Sequence, residues 1–188
     1  MSPFEYVIVL ISIILGLGVT QIMTGVAELV HQWDRVRLYW PHMIWIVLVF
    51  VLHIQEWWDV YSLQSFSAWR LPTFLFFTLY PVNLFILARI LFPFQPNDGD
   101  INLKDFYFAN FKKFFLWTII LNVLSIISNL IVHGFDYSLF LIVAIMATLA
   151  TVILRNYKME WLHQTIAVVF LLTLILSAIV NWDEWLIN

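Results

Sequence analysis

The sequence predicts an all-α integral membrane protein, a single domain over 1–188 built as a bundle of six transmembrane helices. Three observations carry this. The 188 residues are 63% hydrophobic and only 11% charged, whereas a soluble domain carries about 25% charged residues. The mean hydropathy is +0.91, too apolar for a surface in water. The apolar residues also fall in long continuous runs, and a spanning helix needs about 20 of them in a row. Membrane barrel strands would be shorter and would alternate.

The six expected spans are 4–30, 41–62, 72–92, 106–132, 137–154 and 161–182. Ser2-Pro3-Phe4-Glu5 opens the first as a capping box with proline at the first helical position. No basic n-region precedes this run, so it reads as a retained span and not as a cleaved signal. Pro41 and Pro72 stand at the starts of spans two and three. Pro93 and Pro96 end the third, before a loop with the turn Asn97-Asp98-Gly99-Asp100. The stretch NLKDFYFANFKKFFLW, from Asn102 to Trp117, reads as an Asn-capped helix entering through the interface, with its aromatics in the headgroup layer. His133-Gly134 ends span four and Asp136 can cap span five.

Charge sets the direction. Arg35, Arg37, Arg89, Lys104, Lys112, Lys113, Arg155 and Lys158 flank the first, third and fifth loops, and Arg70 alone lies on the other side. The positive-inside rule then puts those three loops in the cytoplasm, with Arg35, Arg37, Arg89, Lys112 and Lys113 at that interface and both termini outside. Glu5, Glu56, Asp59, Asp136, Asp183 and Glu184 make the outer end acidic. Three spans before the long loop and three after it run in opposite directions, the geometry of a 3+3 inverted repeat. The two halves show no convincing sequence match.

Polar groups at membrane depth are costly and are read as functional candidates. The segment HIQEWWDVY closes span two. His42, His53, Glu56 and Asp59 share a face of that helix. His53 lies roughly 18 Å beyond Pro41 at the helical rise, just past the midplane. A carboxylate near a histidine at partial depth can pass protons or hold a cation. The competing reading is an interfacial belt of Trp57, Trp58 and Tyr61, with Glu56 and Asp59 in the headgroup layer. Gln21, Asn83 and Asn122 are uncharged polar residues near mid-depth, and so are Ser125, Asn129, Thr148 and Thr151. Hydrogen bonds between helices account for most such residues. Asn83 stands out because Pro81 frees the carbonyl of Phe77 beside it. Gly16, Gly18, Thr20, Thr24 and Gly25 make span one small-sided, and Gly16-Thr20-Thr24 forms a ladder that admits a close helix neighbour, within or between subunits.

Several classes are disfavoured. A net charge of −3 with scattered basic residues does not suit nucleic acid. The chain has no cysteine, which removes thiol catalysis and Cys-ligated metals. His53 and Glu56 resemble half of a carboxylate-bridged metal site, but no second pair of that spacing exists. His42 and His53 could hold a haem from one helix, while His133 and His163 belong near opposite surfaces. No cofactor or metal is therefore expected. No nucleophile elbow or zinc-protease motif is present, and Ser125 or Ser128 with His133 lacks an oxyanion loop, so an enzyme is not the expectation.

SIILGLGVTQIMTG followed by DRVRLYWPHMIW resembles the opening of a family of small, uncharacterised six-span bacterial inner-membrane proteins, over about the first 60 residues. That resemblance implies a multi-pass protein of a bacterial inner membrane and no activity. The expected function is a small proton or cation channel or transporter, with His53 and Glu56 as the titrating site and Asn83 and Asn122 along the path. The alternative is a non-conducting module that binds a partner protein or lipid, and a metal- or haem-binding redox component is a third. The bilayer itself and further copies of the chain are the expected partners.

Overall fold

The computed structural model describes residues 2–65, 69–93, 100–132, 134 and 138–180. His133, Asp136, Asp183, Glu184 and the Pro96 to Gly99 turn lie outside them. The described chain folds into six helices: α1 (Pro3–His31), α2 (Trp40–Asp59), α3 (Leu71–Ile90), α4 (Leu103–Val132), α5 (Ser138–Arg155) and α6 (Glu160–Val180). A short 3-10 turn extends α2 over Val60–Ser65.

The helix ends follow local chemistry. Ser2 and Glu5 close the expected capping box, with the Glu5 N–H donating to Ser2 Oγ at 3.1 Å and the Ser2 N–H donating to Glu5 Oε2 at 2.9 Å. Asn102 Oδ1 accepts from the Lys104 N–H at 3.0 Å and its amide donates to Asp105, so α4 starts three residues before the expected span. Gly134 follows α4 at φ +82°, its N–H bonded to the Asn129 carbonyl. Asn156 ends α5 at φ +52°, and the N–H groups of Asn156 and Tyr157 close back on Ile153 and Val152. That is the left-handed cap glycine usually supplies; asparagine tolerates it.

Among the described residues, five helical segments are long and apolar enough to cross a membrane: Pro3–His31, Trp40–Gln64, Leu71–Ile90, Leu103–Val132 and Glu160–Val180. The fifth helix, α5, has 18 residues, about 27 Å of rise against a hydrocarbon core of about 30 Å. The exterior is apolar to match. Leu71, Phe140, Leu154, Ile179 and Val180 are each at least 64% exposed, a surface suited to acyl chains and not to water.

Packing is uneven between the halves. Helices α1, α2 and α3 pack against one another, and α6 packs along α2. Among the last three helices, α5 packs along α4, and α6 meets α4 through His163 and its ring of aromatics. The seam of α1 is a stripe of Val7, Ile11, Leu15, Gly18, Ile22, Gly25 and Leu29, the spacing of one helical face. Two of its members must be glycine. A Cβ on Gly18 would lie 2.1 Å from His53 Nε2, and one on Gly25 would lie 2.4 Å from the Phe92 ring.

The connections between α1 and α2, α3 and α4, and α5 and α6 meet at one end, here the basic end. Val36–Arg37 pairs in parallel with Ile101–Asn102. Arg37 pairs with Asp100 at 3.4 Å and Lys104 with Glu160 at 2.6 Å. Both pairs are largely exposed, so each contributes at most about 1 kcal/mol. The opposite, acidic end carries Glu5, Glu56 and Asp59.

Candidate functional site

The candidate site lies along α2, the helix that packs against α1, α3, α4 and α6. His42 and His53 are eleven residues apart, close to three full turns, so they project from nearly one face. Both are buried. The His53 Nδ1–H donates to the Val49 carbonyl at 2.7 Å, one turn back on its own helix. That bond fixes the tautomer, which leaves Nε2 as a lone pair. Nε2 faces the bare backbone of Gly18, buried and with no hydrogen-bond partner. His42 is held the other way. Its Nε2–H donates to the Leu91 carbonyl at 2.8 Å, and Nδ1 is the buried nitrogen without a partner.

Asn83 is the third member. It is 2% exposed, and neither its amide nitrogen nor its amide oxygen has a partner. The contact of His42 with Leu91 fixes the register of α2 against α3. Counting up both helices from that contact, His53 stands about 16 Å and Asn83 about 12 Å above it. The two side chains therefore share a level to within about 5 Å. Pro81 is buried two residues earlier and has no N–H of its own to donate. An unpaired buried polar group costs about 1–3 kcal/mol, so this stretch concentrates unmet hydrogen bonding in an otherwise apolar core.

The other candidates are placed differently. Glu56 is half-buried and Asp59 exposed, one and two turns above His53. Gln21 is half-buried on α1. Asn122 is half-buried on α4 and donates to the Thr118 carbonyl of its own helix at 2.9 Å. Thr148 and Thr151 likewise donate to Ala144 and Ala147, the back-bonding that polar side chains adopt on apolar helices. Gly16, Thr20 and Thr24 face outward, and Thr20 donates to the Gly16 carbonyl at 2.8 Å. The ladder thus stands opposite the buried Gly18 and Gly25. Arg35, Lys112 and Lys113 are exposed and Arg89 is half-buried. Lys113 reaches Asn110 at 3.5 Å, and Glu28 accepts from Gln32.

His163, which its place in the sequence did not single out, has a hydrogen-bond partner on each ring nitrogen. It is fully buried. Its Nδ1 accepts from the Tyr107 hydroxyl at 2.9 Å, and its Nε2–H donates to the Tyr157 carbonyl at 2.8 Å. The rings of Phe108 and Phe111 meet it edge-on at 5.0 and 4.9 Å, and Phe115 stacks on it at 5.7 Å. This knot ties α4, α6 and the α5–α6 connection at the basic end. Tyr39 touches its rim through the Tyr107 ring. Burial, and then the Glu160 carboxylate, pushes the Tyr39 phenol up to about 12, so it stays neutral. The signal available in sequence was the inward stripe Tyr107, Phe111, Phe114, Phe115 and Thr118, which marks a packed face without naming its partner.

Among the described residues, no three His, Asp or Glu side chains converge as a metal site would need. Comparison with family models, with curated proteins and with solved structures finds no match.

Proposed function

We propose that this chain is a multi-pass protein of a bacterial inner membrane that passes protons or small cations, with α2 as the conducting element. The observation that supports it is the pair of buried, unpartnered polar groups at one level, His53 Nε2 and the Asn83 amide. In an apolar core such groups are retained where water or an ion meets them part of the time. Glu56 and Asp59 gather cations at the acidic mouth, His53 and Asn83 form the midway station, and His42 stands towards the basic end. In this reading α5 crosses as the sixth span, its short length met by local thinning of the bilayer. The basic end faces the cytoplasm and both termini face outward. Copies of the chain associate through the outward ladder Gly16, Thr20 and Thr24, which admits a close neighbour.

A second reading, a non-conducting membrane module that binds lipid or a partner protein, is favoured by the tight seat of His53 on Gly18, which closes the α1–α2 seam. Flux separates the two. Purified protein in liposomes with an internal pH dye is expected to dissipate a proton gradient, and His53→Gln is expected to cut the rate at least roughly tenfold, as loss of a proton-transfer group does. Liposomes that stay tight under every applied pH and voltage gradient would establish the non-conducting reading.

A further inference from the structure

The acidic end holds a second feature, separate from the His53 level. Phe4 and Ile8 of α1, Trp57 and Trp58 of α2, and Tyr61 of the following turn line a half-open cavity of about 120 Å³. An interfacial aromatic belt explains tryptophans lying flat at the headgroup level. It does not explain four aromatic rings arranged around a space. A cavity of about 150 Å³ takes benzene, and a trimethylammonium head has similar bulk.

Charge favours a cation as the occupant. Two lining residues are next in the chain to an exposed carboxylate, Phe4 to Glu5 and Trp58 to Asp59. Arg70 at the start of α3 is the one Lys or Arg among the described residues of this end. Aromatic faces attract cations, most strongly quaternary ammonium groups that shed their water cheaply, and nearby carboxylates add long-range attraction. A metal ion or an ammonium from lysine would instead demand hydrogen bonds or ligands that the apolar wall does not offer.

We propose that this cavity binds a quaternary ammonium group, free or carried on a lipid headgroup. The proposal stands without the conduction reading, because it concerns affinity and not flux. Isothermal titration of the unmodified protein in maltoside micelles tests it with choline against 3,3-dimethylbutanol, which has the same shape without the charge. Choline is expected to bind about tenfold more tightly, as desolvated cation–π contacts imply. Trp57→Ala is expected to lose about tenfold in choline affinity, and Trp57→Phe to regain part of it. Phosphatidylcholine doped into the micelles, against phosphatidylglycerol, distinguishes a headgroup from a free ion; competition with choline by the first lipid alone assigns the site to headgroups. Equal binding of choline and its neutral isostere, or heat indistinguishable from empty micelles for both, would overturn the proposal and leave an ordinary aromatic belt.

Discussion

At the scale of single residues, the described glycines do different work. Gly18 is required because His53 occupies the place of its side chain, and Gly134 because its backbone lies at positive φ. Gly16 has nothing within 4 Å of where a Cβ would stand. The same substitution should therefore act oppositely two residues apart. Gly18→Ala drives a methyl into the imidazole and is expected to destabilise by about 1–3 kcal/mol, the usual cost of overfilling a packed seam. Gly16→Ala is expected to be neutral or to stabilise by about 0.5–1 kcal/mol, through helix propensity alone. Thermal unfolding of both variants in one detergent checks this; equal shifts would remove Gly18 from the seam.

At the scale of elements, the helices are set by local signals and tied by distant ones. The Ser2/Glu5 capping box, the prolines at the starts of α2 and α3, and the Asn102 cap were all legible, because each acts within four residues of itself. The αL stop at Asn156 was not, since a lone asparagine between apolar stretches reads as an ordinary polar loop residue. The role of His163 was hidden for a related reason. Its partner Tyr107 is 56 residues away, and only packing reveals that both belong to one knot. Removing the Tyr107 hydroxyl leaves His163 Nδ1 buried without a donor. Tyr107→Phe is thus expected to cost about 1–3 kcal/mol, read as a lower midpoint of thermal unfolding in detergent. An unchanged midpoint would mean that the aromatic rings alone hold α4 to α6.

At the scale of the whole molecule, composition made the membrane class plain, and the apolar exterior of five long helices agrees with it. Five of the six expected spans are long and apolar enough to cross among the described residues, while α5, at 18 residues, is as short as the run 137–154 that foretold it. The candidate site was half legible. His53 and Asn83 could be singled out by type and depth, but nothing in the order of residues says that α2 and α3 are registered to bring them level. Nor does it show that Asn122 turns back on its own helix. On the conduction reading, the unpaired groups of His53 and Asn83 are kept against a cost in stability. Asn83→Leu separates those two quantities, since an apolar side chain of similar shape removes both unpaired amide atoms. The measurement is proton flux through liposomes beside thermal stability of the same preparation. The variant is expected to unfold at a higher temperature and to conduct at least roughly tenfold more slowly than the unmodified chain. A stabilised variant with undiminished flux would contradict that reading.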